Sequence, residues 1–469
     1  MNRLLSRRAA LASFGAPLLP QAAGRKPNIV VILADDMGYG DIGCYGSPDV
    51  PTPHIDALAA SGTRFTDGYV SCAVCSPSRV ALLTGRYQQR LGHEFNSGPP
   101  EREAQINFGL PPQARILPQF LKPAGYRSAA IGKWHLGIRA GYHPLDRGFD
   151  HFFGFLTGGN DYVTENTRAA HVAAADGYGA EIPRKHHDPI YRGRDTVPES
   201  RYLTDAFTAE AVSFIEQNRS NPFFLYLAYN AIHTPLQSID KYLDRFPAVR
   251  NEKHRMLAAM TSALDDGVGE ILGALRRQGL DRDTMVVFLS DNGCPEMTGA
   301  GTNGPLNGEK VTYYEGGIRV PFMVRWTGKF PAGRTYRQPV VSRDIVPTFL
   351  AAAGITPSPA IDFDGTGLAP FLTGRRSGAP HEALFWRAGK ARAVRKGRWK
   401  LIEFGDTPPR LFDLETDLGE TRNIAAAHQE TVRELREAWQ SWSQEMGKPA
   451  WPPRYREVTV NGETLNWEL

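Results

Sequence analysis

Apolar and polar positions follow two different patterns along the chain. In the first, continuous apolar runs end in clusters of polar residues. Asn28-Ile29-Val30-Val31-Ile32-Leu33-Ala34 closes on Asp35-Asp36. Phe223-Phe224-Leu225-Tyr226-Leu227-Ala228-Tyr229-Asn230 leads to His233, and Met285-Val286-Val287-Phe288-Leu289-Ser290 leads to Asp291-Asn292-Gly293. Runs of this kind belong to strands buried on both faces, as in a parallel sheet covered by helices. Between them apolar residues recur at helical spacing. Phe207, Ala211, Phe214 and Ile215 share one face; Met256, Met260, Leu264, Val268, Ile271 and Leu275 share another. Strands alternating with helices predict an α/β fold on a mostly parallel sheet. Ligands of such sheets bind beyond the carboxyl ends of the strands. Asp35, Asp36, His233, Asp291 and Asn292 all fall there, and one shared site explains them together.

The second pattern starts near residue 376. Arg375-Arg376-Ser377-Gly378-Ala379-Pro380 reads as a linker. Short strand-like pieces follow, Ala383 to Trp386, Ala391 to Arg395, Trp399 to Glu403 and Leu411 to Leu414, split by turn residues as in an antiparallel meander. A helix is predicted from Gln429 to Gln444, with Val432, Leu435, Trp439 and Trp442 on one face. A chain of 469 residues exceeds one ordinary core. The expected division is an α/β domain over 25–375 and a smaller C-terminal α+β domain with an antiparallel sheet over 376–469.

The charge is nearly balanced, 54 Lys and Arg against 50 Asp and Glu, with no dense basic run. Nothing here points to nucleic acid. Residues 1–24 read as an export signal: Arg3, Arg7 and Arg8 precede the apolar stretch Ala9 to Leu19, and Gln21-Ala22-Ala23 offers a cleavage region. Ser6-Arg7-Arg8-Ala9-Ala10-Leu11 resembles a twin-arginine signal. The stretch is too short, and too broken by Gly15 and Pro17, to span a bilayer, and no later segment reads as a membrane span. The expected location is periplasmic or extracellular. The cysteines are Cys44, Cys72, Cys75 and Cys294, a set that admits one bridge but no zinc-finger spacing.

Candidate chemistry begins at Cys75-Ser76-Pro77-Ser78-Arg79. Pro77 suits the first position of a helix, which sets Cys75 at an anion-friendly helix mouth beside Arg79. Asp35-Asp36 and Asp291-Asn292 offer the hard oxygen ligands that calcium and magnesium prefer; taken singly, each pair reads equally as helix caps. Gly132-Lys133-Trp134-His135-Leu136-Gly137 follows a short apolar piece. Gly308-Glu309-Lys310 and Glu315-Gly316-Gly317-Ile318-Arg319-Val320-Pro321 form a glycine-rich stretch.

Together these strings resemble a known family. Cys75-x-Pro77-Ser78-Arg79-x-x-x-Leu83-Thr84-Gly85 is similar to the sulfatase signature at every fixed position. The aspartate, lysine-histidine and glycine-rich motifs follow in the family's order across residues 28–321. Leu411-Phe412-Asp413-Leu414 with Glu420 and Asn423 extends the likeness. Gly148-Phe149-Asp150, Gly154-Phe155, Asp161-Tyr162 and His233-Thr234-Pro235-Leu236-Gln237 resemble the arylsulfatase A/B-like branch.

The resemblance implies an alkaline phosphatase-like fold with a large mixed, mostly parallel sheet. It implies that a maturation enzyme oxidises Cys75 to Cα-formylglycine, whose hydrate attacks sulfur. It assigns Asp35, Asp36, Asp291 and Asn292, with position 75, to calcium or magnesium, and Arg79 to the hydrate. Lys133 and Lys310 clamp the sulfate, His233 with Lys310 protonates the leaving oxygen, and His135 is the base that releases sulfate and restores the aldehyde. The implied substrate is an aryl sulfate or a sulfated carbohydrate. The rivals are a phosphonate or phosphate ester hydrolase on the same fold and a non-catalytic sulfated-glycan binder. Trp134, Tyr162, Tyr229, Tyr313 and Tyr314 either shape a subsite or pack the core. Relatives often carry serine near position 159, where this chain has Gly158-Gly159; its contact passes to Asn160 or Thr157, or is lost.

Overall fold

In the strand Asn28–Ala34 every residue is buried. Val30, Ile32 and Ala34 enter one apolar cluster, and Ile29, Val31 and Leu33 enter another on the opposite face. Side chains alternate across a strand, so an uninterrupted apolar run needs cover on both sides. A computed structural model describes residues 25–98, 106–163, 170–172, 188–358 and 361–469. The segment read as an export signal lies outside them.

The strand lies between Thr284–Ser290 and Phe223–Ala228, both parallel to it. Arg127–Lys133 and then His151–Phe155 continue the parallel block beyond Phe223–Ala228. These strands form the centre of a ten-stranded sheet whose margins include antiparallel pairs such as Thr284–Ser290 with Phe322–Trp326. The sheet is therefore mixed and mostly parallel at its centre, as predicted. Helices Leu203–Gln217 and Glu252–Arg277 cover one face. Helices Cys75–Thr84 and Ile345–Ala352 cover the other. Register fixes the site: Ala34 pairs with Ser290 and Leu33 with Ala228, so the polar tails of all three runs emerge side by side.

The C-terminal sheet is an antiparallel meander of Ala383–Ala388, Ala391–Lys396, Trp399–Phe404 and Arg410–Asp413. Helix Gln429–Ser443 packs Val432 and Leu435 on one of its faces, against Val394, Leu401 and Leu411. The other face puts Trp386, Ile402 and Phe412 into one cluster with Tyr69, Val70, Val74, Tyr314 and Ile318. Residues 374–379 are exposed. Residues on either side of them share apolar core, and the smaller sheet packs against the segment that leads to Cys75. A terminal hairpin, Tyr455–Val460 with Glu463–Glu468, adds Val458, Val460 and Trp467 to that cluster. All four cysteines are free. Among the described residues no helix is long and apolar enough to cross a membrane.

Candidate active site

Cys75 is the first residue of a helix, Cys75–Thr84, that is buried along its whole length. Val74 caps it in an extended conformation, so Pro77 stands third in the helix rather than first. That still sets Cys75 at the helix mouth, with the Ser76 N–H held by Asn96 Oδ1 at 3.0 Å. Cys75 Sγ lies 3.7 Å from Asp35 Oδ1. Burial pushes its thiol up to about 12, against the pull of Lys133 and Lys310. The unmodified thiol is thus protonated at neutral pH and a poor nucleophile.

Three carboxylates and three cations interlock around it. Arg79 bridges Asp291 Oδ2 at 2.8 Å and Asp35 Oδ2 at 3.4 Å. Lys133 Nζ sits 2.6 Å from Asp35 Oδ2, and Lys310 Nζ straddles Asp36, 2.7 Å from Oδ1 and 2.8 Å from Oδ2. Burial alone would raise Asp36, but Lys310, His233 and Lys133 hold it well below the ordinary carboxylate range. Burial and the neighbouring Asp35 push Asp291 up, against Arg79. Burial opposes the charge on Arg79, and Asp291 and Asp35 more than restore it. Such buried charges persist because each has a partner.

The donor set fits a hard divalent cation. Asp35, Asp36, Cys75 and His233 each offer a ligand atom, all within 4.8 Å of one another. Asn292 Nδ2 donates to Asp36 Oδ1 at 2.7 Å, while its Oδ1 is buried and has no hydrogen-bond partner among the described residues. An orphaned buried acceptor beside carboxylates is the feature a bound cation would satisfy. Asp291 is more committed: one oxygen is held by Arg79, and the other accepts the Asp36 N–H at 3.3 Å. His233, which sequence reasoning did not count among the ligands, stands in the same cluster, its Nε2 3.6 Å from Asp36 Oδ2.

Burial disfavours the charged form of both histidines. Burial, opposed by Asp36, pushes His233 down to about 3, and its Nδ1–H donates to Thr234 O at 2.5 Å. Burial, reinforced by Lys133 and Arg79, holds His135 well below the ordinary histidine value. His135 Nε2 faces Ser97 O at 3.3 Å, and Nδ1 is buried with no hydrogen-bond partner among the described residues. Lys133 ends the strand Arg127–Lys133, and His135, at φ 59°, follows it in a left-handed turn. The turn, not strand alternation, brings the two to one region.

Gly158 and Gly159 differ in their surroundings. A Cβ on Gly158 would fall 2.7 Å from His135 Nε2; one on Gly159 would sit 3.7 Å from His233 Cε1, an ordinary contact. Thr157 Oγ1 donates to Gly159 O at 3.2 Å and Asn160 Nδ2 to Asp188 O at 3.0 Å, so both are engaged with backbone. Gly158→Ala is expected to displace the His135 ring, whereas Gly159→Ala leaves His233 in place; the histidine ring resonances in NMR spectra of the two variants check the pair.

The family model for sulfatases matches residues 27–355. A second, described as N-sulphoglucosamine sulphohydrolase, C-terminal, matches 308–445. N-acetylgalactosamine-6-sulfatase of Canis lupus familiaris is 34% identical over 414 residues, covering 83% of this chain and 73% of its own. Human (Homo sapiens) arylsulfatase A is 34% identical over 474 residues, covering 90% of each. The crystal structure of Ps i-CgsB in complex with k-i-k-neocarrahexaose superposes with a TM-score of 0.82 at 36% identity, covering 91% of this chain and 95% of that one. The chain belongs to the sulfatase family. It is an arylsulfatase-like sulfuric ester hydrolase on the fold its sequence motifs imply.

Two further residues support the histidines, Ser97 with no motif signal and Tyr162 from the Asp161-Tyr162 string. Tyr162 O–H donates to the backbone carbonyls of Asn230 and His233, the latter at 2.7 Å, and so supports the His233 turn. Ser97 orients His135 through its carbonyl. The five aromatic residues weighed for a subsite are core: Trp134, Tyr162, Tyr229, Tyr313 and Tyr314 are all buried. Their rings pack inside the protein, so no sugar can stack on them as they stand.

Proposed function

We propose that this sulfatase releases sulfate from sulfated carbohydrates, with aryl sulfates as surrogate substrates, using a formylglycine hydrate made from Cys75. The observation that carries the reading is Cys75 Sγ among the ligand atoms of Asp35, Asp36 and His233, all within 4.8 Å. A matured side chain there meets carboxylates and cations at once. When bound, calcium or magnesium would supply charge to a sulfate oxygen and ease deprotonation at position 75, held by Asp35, Asp36, Asp291 and Asn292.

The chain's own residues supply the rest. Arg79, fixed by two carboxylates, sets a permanent positive charge beside position 75. Lys133 and Lys310, relieved of Asp35 and Asp36, present ammonium groups to sulfate oxygens. The leaving oxygen takes its proton from Lys310, because resting His233 carries its proton on Nδ1 and is pushed down to about 3 by burial. His233 stands beside that transfer through Asp36. His135, donating from Nε2 to Ser97 O, keeps Nδ1 open as the base for the second hydroxyl. Residues 1–24 assign the enzyme to the periplasm or the extracellular space, and its maturation needs a formylglycine-generating partner.

A sugar substrate is supported by the similar protein named N-acetylgalactosamine-6-sulfatase and by the similar structure solved with k-i-k-neocarrahexaose. A panel of defined sulfated mono- and disaccharides, run beside one aryl sulfate and its phosphate and phosphonate counterparts, tests the proposal. Sulfate release should dominate. Faster phosphate or phosphonate cleavage, or saccharide binding without sulfate release, would refute it.

A further inference from the structure

We propose that Lys400 and Glu420 are positioning residues for sulfate binding, acting through Glu315 on the loop that carries Lys310; the inference rests on reading Lys310 as a sulfate ligand. Glu420 belongs to the motif that the catalytic reading leaves without a role. Lys400 projects from the C-terminal strand Trp399–Phe404 and is fully buried. Its Nζ donates to Glu315 Oε1 at 2.7 Å and lies 2.8 Å from Glu420 Oε1. Glu420 Oε2 accepts the backbone N–H of Glu315 at 2.6 Å. The other oxygen of Glu315 accepts from Tyr69 O–H at 2.6 Å and Arg319 at 3.1 Å. Glu315 is thus gripped at its backbone by Glu420, from the loop after the smaller sheet, and at its carboxylate by Lys400 of that sheet together with Tyr69 and Arg319.

What Glu315 holds is the active-site edge. It opens the short helix Glu315–Ile318. Gly316 N–H donates to Asn307 O at 2.7 Å, and Gly293 N–H, next after Asn292, donates to Gly317 O at 3.1 Å. The packing leaves no slack. A Cβ on Gly316 would lie 2.1 Å from Gly308 O, one on Gly317 2.0 Å from Thr312 O, and one on Gly293 1.7 Å from Gly316 O. A shift of Glu315 therefore moves both residues 307–312 and the turn after Asn292. Within that loop Val311, a β-branched residue next to Lys310, holds φ 84°. Such a conformation persists only where the surroundings impose it. The Lys400–Glu420 clasp is one part of those surroundings that comes from the C-terminal unit, beside the bond that Asn307 Nδ2 donates to Asn461 Oδ1 at 2.7 Å.

Calorimetric binding of inorganic sulfate to the purified protein tests this, with thermal unfolding measured in parallel. Glu420→Gln keeps the shape and removes the charge; Lys400→Met removes the cation; Lys310→Ala is the reference. The clasp predicts roughly tenfold weaker sulfate binding in Glu420→Gln, the scale of coupling through a packed network. It also predicts no further loss when Glu420→Gln is added to Lys310→Ala, because coupled sites are non-additive. Folded Glu420→Gln that binds sulfate like wild type, or an equal loss in both backgrounds, would overturn the clasp while Lys310→Ala still weakens binding. If Lys310→Ala itself binds sulfate normally, the assignment of Lys310 falls first and the clasp with it. Should Lys400→Met not fold, Glu420→Gln decides alone.

Discussion

Cys75→Ala should abolish aryl sulfate hydrolysis, with kcat falling at least about 10⁴-fold, the loss expected when a covalent nucleophile is removed. The fold should survive. Sγ makes one long contact, 3.7 Å from Asp35 Oδ1, and the remaining helix stays anchored through Val80, Leu82 and Leu83 in the apolar cluster beneath the sheet. Trimming one buried sulfur costs only about 1 kcal/mol, so unfolding curves separate lost chemistry from lost structure. The same experiment has a chemical arm. A plain thiol pushed up to about 12 by burial offers almost no thiolate at neutral pH. Mass spectrometry of the peptide containing position 75 from active enzyme should therefore find an aldehyde in place of the thiol. Turnover by the alanine variant, or an intact thiol in fully active protein, would remove position 75 from the mechanism.

Much of this arrangement is legible in the residues themselves. The buried strands announce themselves because both faces need apolar cover, and parallel register then forces Asp35, Asp291 and the segment leading to His233 to emerge together. Partnerships across long sequence gaps are not legible in this way. Lys400 and Glu315 are 85 residues apart, and either one alone reads as a solvated surface charge. Nor does a tyrosine state which way it faces: Tyr313 and Tyr314 fit a sugar subsite in sequence and core in structure. The C-terminal hairpin is a different case. Its Asn461-Gly462 turn, with φ of 53° and 76°, lies between alternating apolar positions and is a strong local hairpin signal. Its strands are mostly exposed, with only Val458, Val460, Trp467 and Glu468 buried, so no apolar run marks them.

Asp36→Asn should lower kcat/KM about 10³-fold, since a divalent cation is worth several kcal/mol of transition-state charge stabilisation. The substitution is unusually clean. Asp36 adopts φ 61°, a left-handed conformation that asparagine also tolerates, so the backbone need not move. The charge does change. Asp36 accepts Lys310 on both oxygens and Asn292 Nδ2 at 2.7 Å. An amide there would turn N–H groups toward an ammonium and weaken any cation site it shares with Asp35. The acid limb of stability gives the sign independently. Burial would raise this carboxyl, but Lys310, His233 and Lys133 hold it well below its ordinary 3.8. A depressed folded value contributes stability that is complete above the unfolded one and fades only as pH drops through the folded one. The stability gap between wild type and Asp36→Asn should therefore be flat above about pH 4 and shrink below it, a range set by the unfolded carboxyl. Chelation of wild-type enzyme should stop turnover, and added calcium or magnesium should restore it. Wild-type rates in Asp36→Asn, or turnover indifferent to chelator, would take the cation out of the reaction and leave the three buried carboxylates as partners for Arg79, Lys133 and Lys310 alone.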